Sequence, residues 1–134
     1  MKKSAVAFIA TFLFIVSLQP AALAANVIQD GNKRTPYGTM EGVIATNGGN
    51  SDYTWFYAET SIDSRYTMAE TIAKLDIRAN DTGALLSGES SSTPDGNYAI
   101  CYADGSNRYG KLALFSTHEV IYTSSYVLYL DATY

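Results

Sequence analysis

The sequence predicts an all-β fold: a small antiparallel β-sandwich of about seven strands, following a cleaved signal peptide. Three observations carry this expectation. From Tyr37 onward, short stretches of β-branched and aromatic residues alternate with turn clusters at close spacing. Within those stretches, side chains of opposite character alternate with period two. Cys101 is the only cysteine, so no internal disulfide can form and apolar burial between two layers must hold the fold.

The elements follow in chain order. Lys2 and Lys3 precede an uncharged apolar run from Ala5 to Leu18, Gln19-Pro20 interrupts it, and Ala22-Leu23-Ala24 supplies small residues for a peptidase. As a helix the run would span roughly 21 Å, short of the roughly 30 Å hydrocarbon core, so residues 1–24 are read as a secretory signal peptide rather than a retained anchor. The protein is therefore expected to be secreted and extracellular. Cys101 lies far from the cleavage point and Tyr134 ends no hydrophobic tail, so no membrane attachment is expected after signal cleavage. Residues 25–36 are polar, with Asp30-Gly31-Asn32-Lys33-Arg34 and nothing periodic to bury, and read as a flexible leader. Residues 37–134 then form a single β-sandwich domain.

Strands are expected at about Thr39 to Thr46, Tyr53 to Ser61, Thr71 to Ala79, Ala84 to Glu89, Tyr98 to Ala103, Leu112 to Ile121 and Tyr126 to Tyr134. Between them lie the turn clusters Asn47-Gly48-Gly49-Asn50, Asn80-Asp81-Thr82-Gly83, Pro94-Asp95-Gly96-Asn97 and Asp104-Gly105-Ser106-Asn107. The run Ser90-Ser91-Ser92 reads as an exposed loop. Residues 66–79 carry two patterns. Met68, Ile72 and Leu75 would share a helical stripe, with Glu70 and Lys74 as an i,i+4 pair. Period-two alternation through Arg78, followed at once by the turn, favours a strand.

Charge narrows the partners. Loss of Lys2 and Lys3 with the signal leaves seven basic residues, scattered along the chain, against thirteen acidic ones. Such a domain repels phosphate backbones, so no nucleic-acid partner is expected. No cofactor is expected either. One histidine and one distant cysteine fall short of a zinc site, and the Asp-Gly loop clusters lack the twelve-residue calcium pattern and are explained by turn chemistry.

Eleven tyrosines are the strongest compositional bias. A phenol packs like Phe, yet its hydroxyl needs a partner, so Tyr suits half-exposed sheet faces, where it serves either contact or ordinary packing. The densest cluster is Tyr53-Thr54-Trp55-Phe56-Tyr57. If Phe56 faces the core, Tyr53, Trp55 and Tyr57 form an outward aromatic strip able to stack on sugar rings or on a partner's apolar surface; these three are the candidate ligand-binding residues. The competing placement puts Trp55 in the core, as is usual for the only tryptophan of a small sandwich. Ser116 and His118 share a strand face and form a weak candidate catalytic pair, without an orienting carboxylate or a Gly-x-Ser-x-Gly turn. Glu41, Glu59, Glu70 and Glu119 are unranked candidates for a carboxylate pair. Cys101, in an apolar stretch, reads as a buried inert thiol.

In layout the chain is broadly similar to small exported proteins of Gram-positive bacteria, lactococcin-972-like bacteriocins among them, although no specific motif is shared, the chain is longer, and it has a single histidine. These readings converge on a secreted, non-enzymatic binding protein whose partner is a cell-wall polymer, a glycan or a protein surface, bacteriocin-like in one version. A small hydrolase using Ser116 and His118 or a carboxylate pair is the alternative from another class. A structural role in an extracellular matrix is the third.

Overall fold

The computed structural model describes residues 26–47, 54–105 and 110–134. They form eight strands: β1 (Asn26–Thr35), β2 (Gly38–Thr46), β3 (Trp55–Asp63), β4 (Glu70–Ala79), β5 (Leu85–Pro94), β6 (Tyr98–Asp104), β7 (Leu112–Ile121) and β8 (Ser125–Thr133). Two four-stranded antiparallel sheets result, in the orders β1-β2-β3-β6 and β5-β4-β7-β8. The arrangement is all-β and consistent with a sandwich. Among the described residues no helix is long and apolar enough to cross a membrane.

Alternation sends one face of each sheet inward. Ile44, Phe56, Ala58, Ala73, Leu75, Ile77, Ala99, Cys101, Ala103, Leu112 and Leu114 form one buried cluster. Met40, Ile62, Met68 and Val120 form a second at the other end, capped by Tyr37, Tyr66, Tyr126 and Leu128. Small Ala residues stand among Leu, Ile and Phe in this cluster, which lets the two layers interdigitate. Each strand expected from Tyr37 onward is present, within a few residues at its ends.

Two sequence expectations are corrected, and a third, the strand reading of residues 66–79, is borne out for Glu70–Ala79. The polar leader is an edge strand: β1 pairs with β2 along its length, from Asn26 opposite Thr46 to Thr35 opposite Gly38. Its inner side needs few apolar groups because Gly31 lets Leu130 of β8 approach closely and the Lys33 ammonium donates to the Val127 carbonyl at 2.8 Å, bridging β1 to β8. Ser90-Ser91-Ser92 continue β5 to Pro94 instead of looping out, which a polar run tolerates on an edge strand, where Pro94 ends the pairing. Of residues 66–79, Glu70–Ala79 are strand β4, paired on both sides; a central position in a sheet outweighs the helical stripe.

The crossover from β3 to β4 is pinned from outside. Asn97 accepts from the Met68 amide at 2.8 Å, donates to the Tyr66 carbonyl at 2.9 Å, and its own carbonyl accepts from the Ile62 amide at 3.1 Å. The Pro94-Asp95-Gly96-Asn97 turn thus ends β5 and also fixes the passage between sheets. Asp95 takes the left-handed conformation there, with φ of 49°, which Asp tolerates better than most residues.

Candidate functional site

Strand β3 places Phe56 in the core, fully buried, so its odd-numbered neighbours face outward. Trp55 is 45 % exposed, which overturns its expected packing role. Tyr57 also lies on the outer face but is only 4 % exposed. It sits between Ala45 of β2 and Tyr102 of β6, with its ring 5.7 Å from that of Tyr102. Tyr57 is therefore a floor under the aromatic surface more than a contact point. Tyr53 falls outside the described residues. The sequence missed Tyr98 and Tyr102, which β6 brings to the same face at 38 % and 42 % exposure. The pairing of β3 with β6 joins segments some forty residues apart, and no local pattern announces it.

Carboxylates interleave with these rings. Glu59 lies two residues from Tyr57 on β3, and Ser61 opposite Tyr98 brings the Tyr98 hydroxyl within reach of the Glu59 carboxylate, to which it donates. Burial lifts the Glu59 carboxyl above the usual range, the Tyr98 hydrogen bond opposes the rise, and the neighbouring Glu41 on β2 adds to it. Burial, then Glu59 and then Tyr102 also raise the Tyr98 and Tyr57 phenols, so both stay neutral hydrogen-bond donors. Glu70 and Glu119, by contrast, lie on the outer face of the second sheet, where Ser92 and Ser125 donate to them. Glu41 and Glu59 come together diagonally across β2 and β3, and Glu70 and Glu119 stand in the same diagonal relation across β4 and β7.

The pair Ser116 and His118 does meet, at 2.7 Å between Oγ and Nε2, but between the sheets. His118 is 0 % and Ser116 3 % exposed. The hydrogen-bond chain fixes the protons. Thr60 spends its single hydrogen on the Ile72 carbonyl at 2.8 Å, so at its 2.8 Å contact with Nδ1 it must accept. The imidazole is therefore the Nδ1–H tautomer, and Nε2 accepts from Ser116. Geometrically this resembles a nucleophile and its base, yet the third group is a neutral hydroxyl where a carboxylate would stabilise an imidazolium. Gly42 closes over the ring, since a Cβ there would lie 2.5 Å from Cδ2. Substrate has no approach, and the trio works as a satisfied polar link between β3, β4 and β7.

Cys101 is likewise buried in the core, and burial pushes its thiol up to about 11, so thiolate is scarce near neutrality. In the Asp95-Gly96-Asn97 cluster, the Asn97 side-chain oxygen is engaged by Met68 and the Gly96 carbonyl by the Thr71 hydroxyl at 2.6 Å. These oxygens serve the turn.

A second aromatic group closes one end of the molecule. Tyr37 makes edge contacts with Tyr66, Tyr122 and Tyr126 at centroid separations of 6.3, 5.0 and 5.9 Å, and the Arg65 guanidinium lies 4.9 Å from the Tyr66 centroid. These rings contact one another over the Met40 and Met68 cluster, so they serve packing.

Fold and site together define a two-sheet antiparallel β protein with an aromatic and acidic outer face. Searched against family models, curated proteins and solved structures, the chain gives no match.

Proposed function

We propose that the chain is an exported binding protein that contacts a cell-wall polymer or another glycan through the outer face of the β1-β2-β3-β6 sheet. The observation that carries this reading is the exposure of Trp55, Tyr98 and Tyr102 on one face, above the buried Tyr57. Exposed rings gathered on one face form a contiguous apolar patch, and such patches mark interaction sites where scattered exposed side chains do not. The flat faces of these aromatic rings suit the axial hydrogens of pyranose rings, while the Glu59 carboxylate and the Tyr98 hydroxyl supply directional polar contacts beside them. Pull-down on insoluble peptidoglycan, chitin and cellulose tests the reading. Retention of the native chain on at least one polymer is expected, with Trp55→Ala weakening it about ten-fold. Equal retention of the two proteins, or none on any polymer, would contradict it.

A further inference from the structure

We propose that the ligand is a polysaccharide carrying free amino groups, its rings lying on Trp55, Tyr98 and Tyr102 and its ammonium groups pairing with Glu59 and Glu41. This rests on the glycan-binding reading above and narrows it to a chemical class.

Charge gives the class. By strand register, the outer face of this sheet presents Asp30, Glu41, Glu59, Asp63 and Asp104 against Arg34, and Arg34 lies opposite Thr39, at the end away from Trp55. Among the described residues no Lys, Arg or His pairs with Glu41 or Glu59; the ion pair that does form, Lys74 with Asp76 at 3.9 Å, belongs to the other sheet. Among the described residues the Glu41 and Glu59 carboxylates, which repel each other at the margin of an apolar patch, have no cationic partner, and a ligand ammonium supplies one. The ring faces add to the attraction through their quadrupoles. The same field repels uronates, phosphates and sulfates, so acidic polymers are disfavoured.

Shape selects a polymer over a protein. Tyr98 and Tyr102 stand four residues apart on β6, about 13 Å, and the strip is only two strands wide, about 5 Å between strands. That footprint is narrow beside the roughly 800 Å² per partner of a stable protein interface. It suits an extended chain of sugars running along the β3-β6 edge of the sheet, longer than one ring.

Trp55 is the only tryptophan, so its fluorescence reports the face directly. The full chain, with its signal removed, is titrated in weakly acidic buffer with fully deacetylated glucosamine oligomers, their N-acetylated counterparts, and oligolysine of similar charge. The glucosamine oligomer is expected to shift Trp55 emission and bind at least about ten-fold tighter than the acetylated one. Glu59→Gln, which keeps an acceptor for Tyr98, and the exposed Glu41→Gln should each bring the two affinities toward parity, with circular dichroism unchanged. Equal affinity for both oligomers in the native chain would overturn amine recognition while leaving the glycan reading intact. Tighter binding of oligolysine would overturn the choice of a polysaccharide. Silence of Trp55 toward every sugar would overturn both.

Discussion

At the residue scale, His118 couples the core to pH. Burial, opposed weakly by a main-chain contact from Glu59, pushes its pKa down from 6.5 to about 4. The unfolded chain takes up this proton at the higher value and the folded chain only at the lower. Stability is therefore full above pH 6.5, falls as the pH drops from there through 4, and levels off below, a total of about 3 kcal/mol. Denaturant midpoints measured across that window should fall with pH, and nitrogen shifts of the imidazole should show the neutral Nδ1–H tautomer throughout its upper part. A midpoint that stays flat would contradict the buried assignment. Gly42 gives a second test. Gly42→Ala forces a methyl into the His118 ring and should cost about 1–3 kcal/mol in urea unfolding. Ser116 beside His118 was legible in the sequence, because i and i+2 share a strand face. Thr60, 58 residues away, was not, and it is Thr60 that sets the tautomer.

At the element scale, the strands from Tyr37 onward were readable because both neighbours and the core impose alternation on them. β1 was not readable: an edge strand needs only one apolar side, and here Ile28, the close approach of Leu130 to Gly31 and the Lys33 hydrogen bond to β8 do that work. Period two also fails to decide parity where adjacent residues are both apolar, which is why Trp55 and Phe56 were exchangeable in the sequence and are not in the sheet. The Asn97 bridge makes the crossover testable. Asn97→Ala leaves the Met68 amide and the Tyr66 carbonyl without their partner and should destabilise by about 2 kcal/mol, with an unchanged m-value in urea. Lys33→Ala removes the link from β1 to Val127 and should cost about 1 kcal/mol, read most directly as faster amide exchange in β1.

At the scale of the whole molecule, the two sheets divide the tyrosines by task. Tyr37, Tyr66, Tyr122 and Tyr126 close one end, Tyr134 packs edge-on against Phe56 at 4.9 Å, and Tyr57, Tyr98 and Tyr102 build the outer face with Trp55. The opposite sheet exposes Tyr129 and Phe115 on a face where, by register, Lys74 and Arg78 stand among Glu70, Asp76, Glu119 and Asp131, a smaller negative excess than that around Trp55. Half of the candidate face was legible in the sequence: the local cluster around Trp55 announced an aromatic strip. The other half depends on β6 arriving beside β3, which only the sheet order reveals. The most direct measurement of the face's role is an amide and indole shift map of the labelled protein on addition of a glucosamine oligomer. Shifts are expected to concentrate on Trp55, Glu59, Tyr98, Tyr102 and Glu41. Shifts centred instead on Phe115 and Tyr129 would contradict the account.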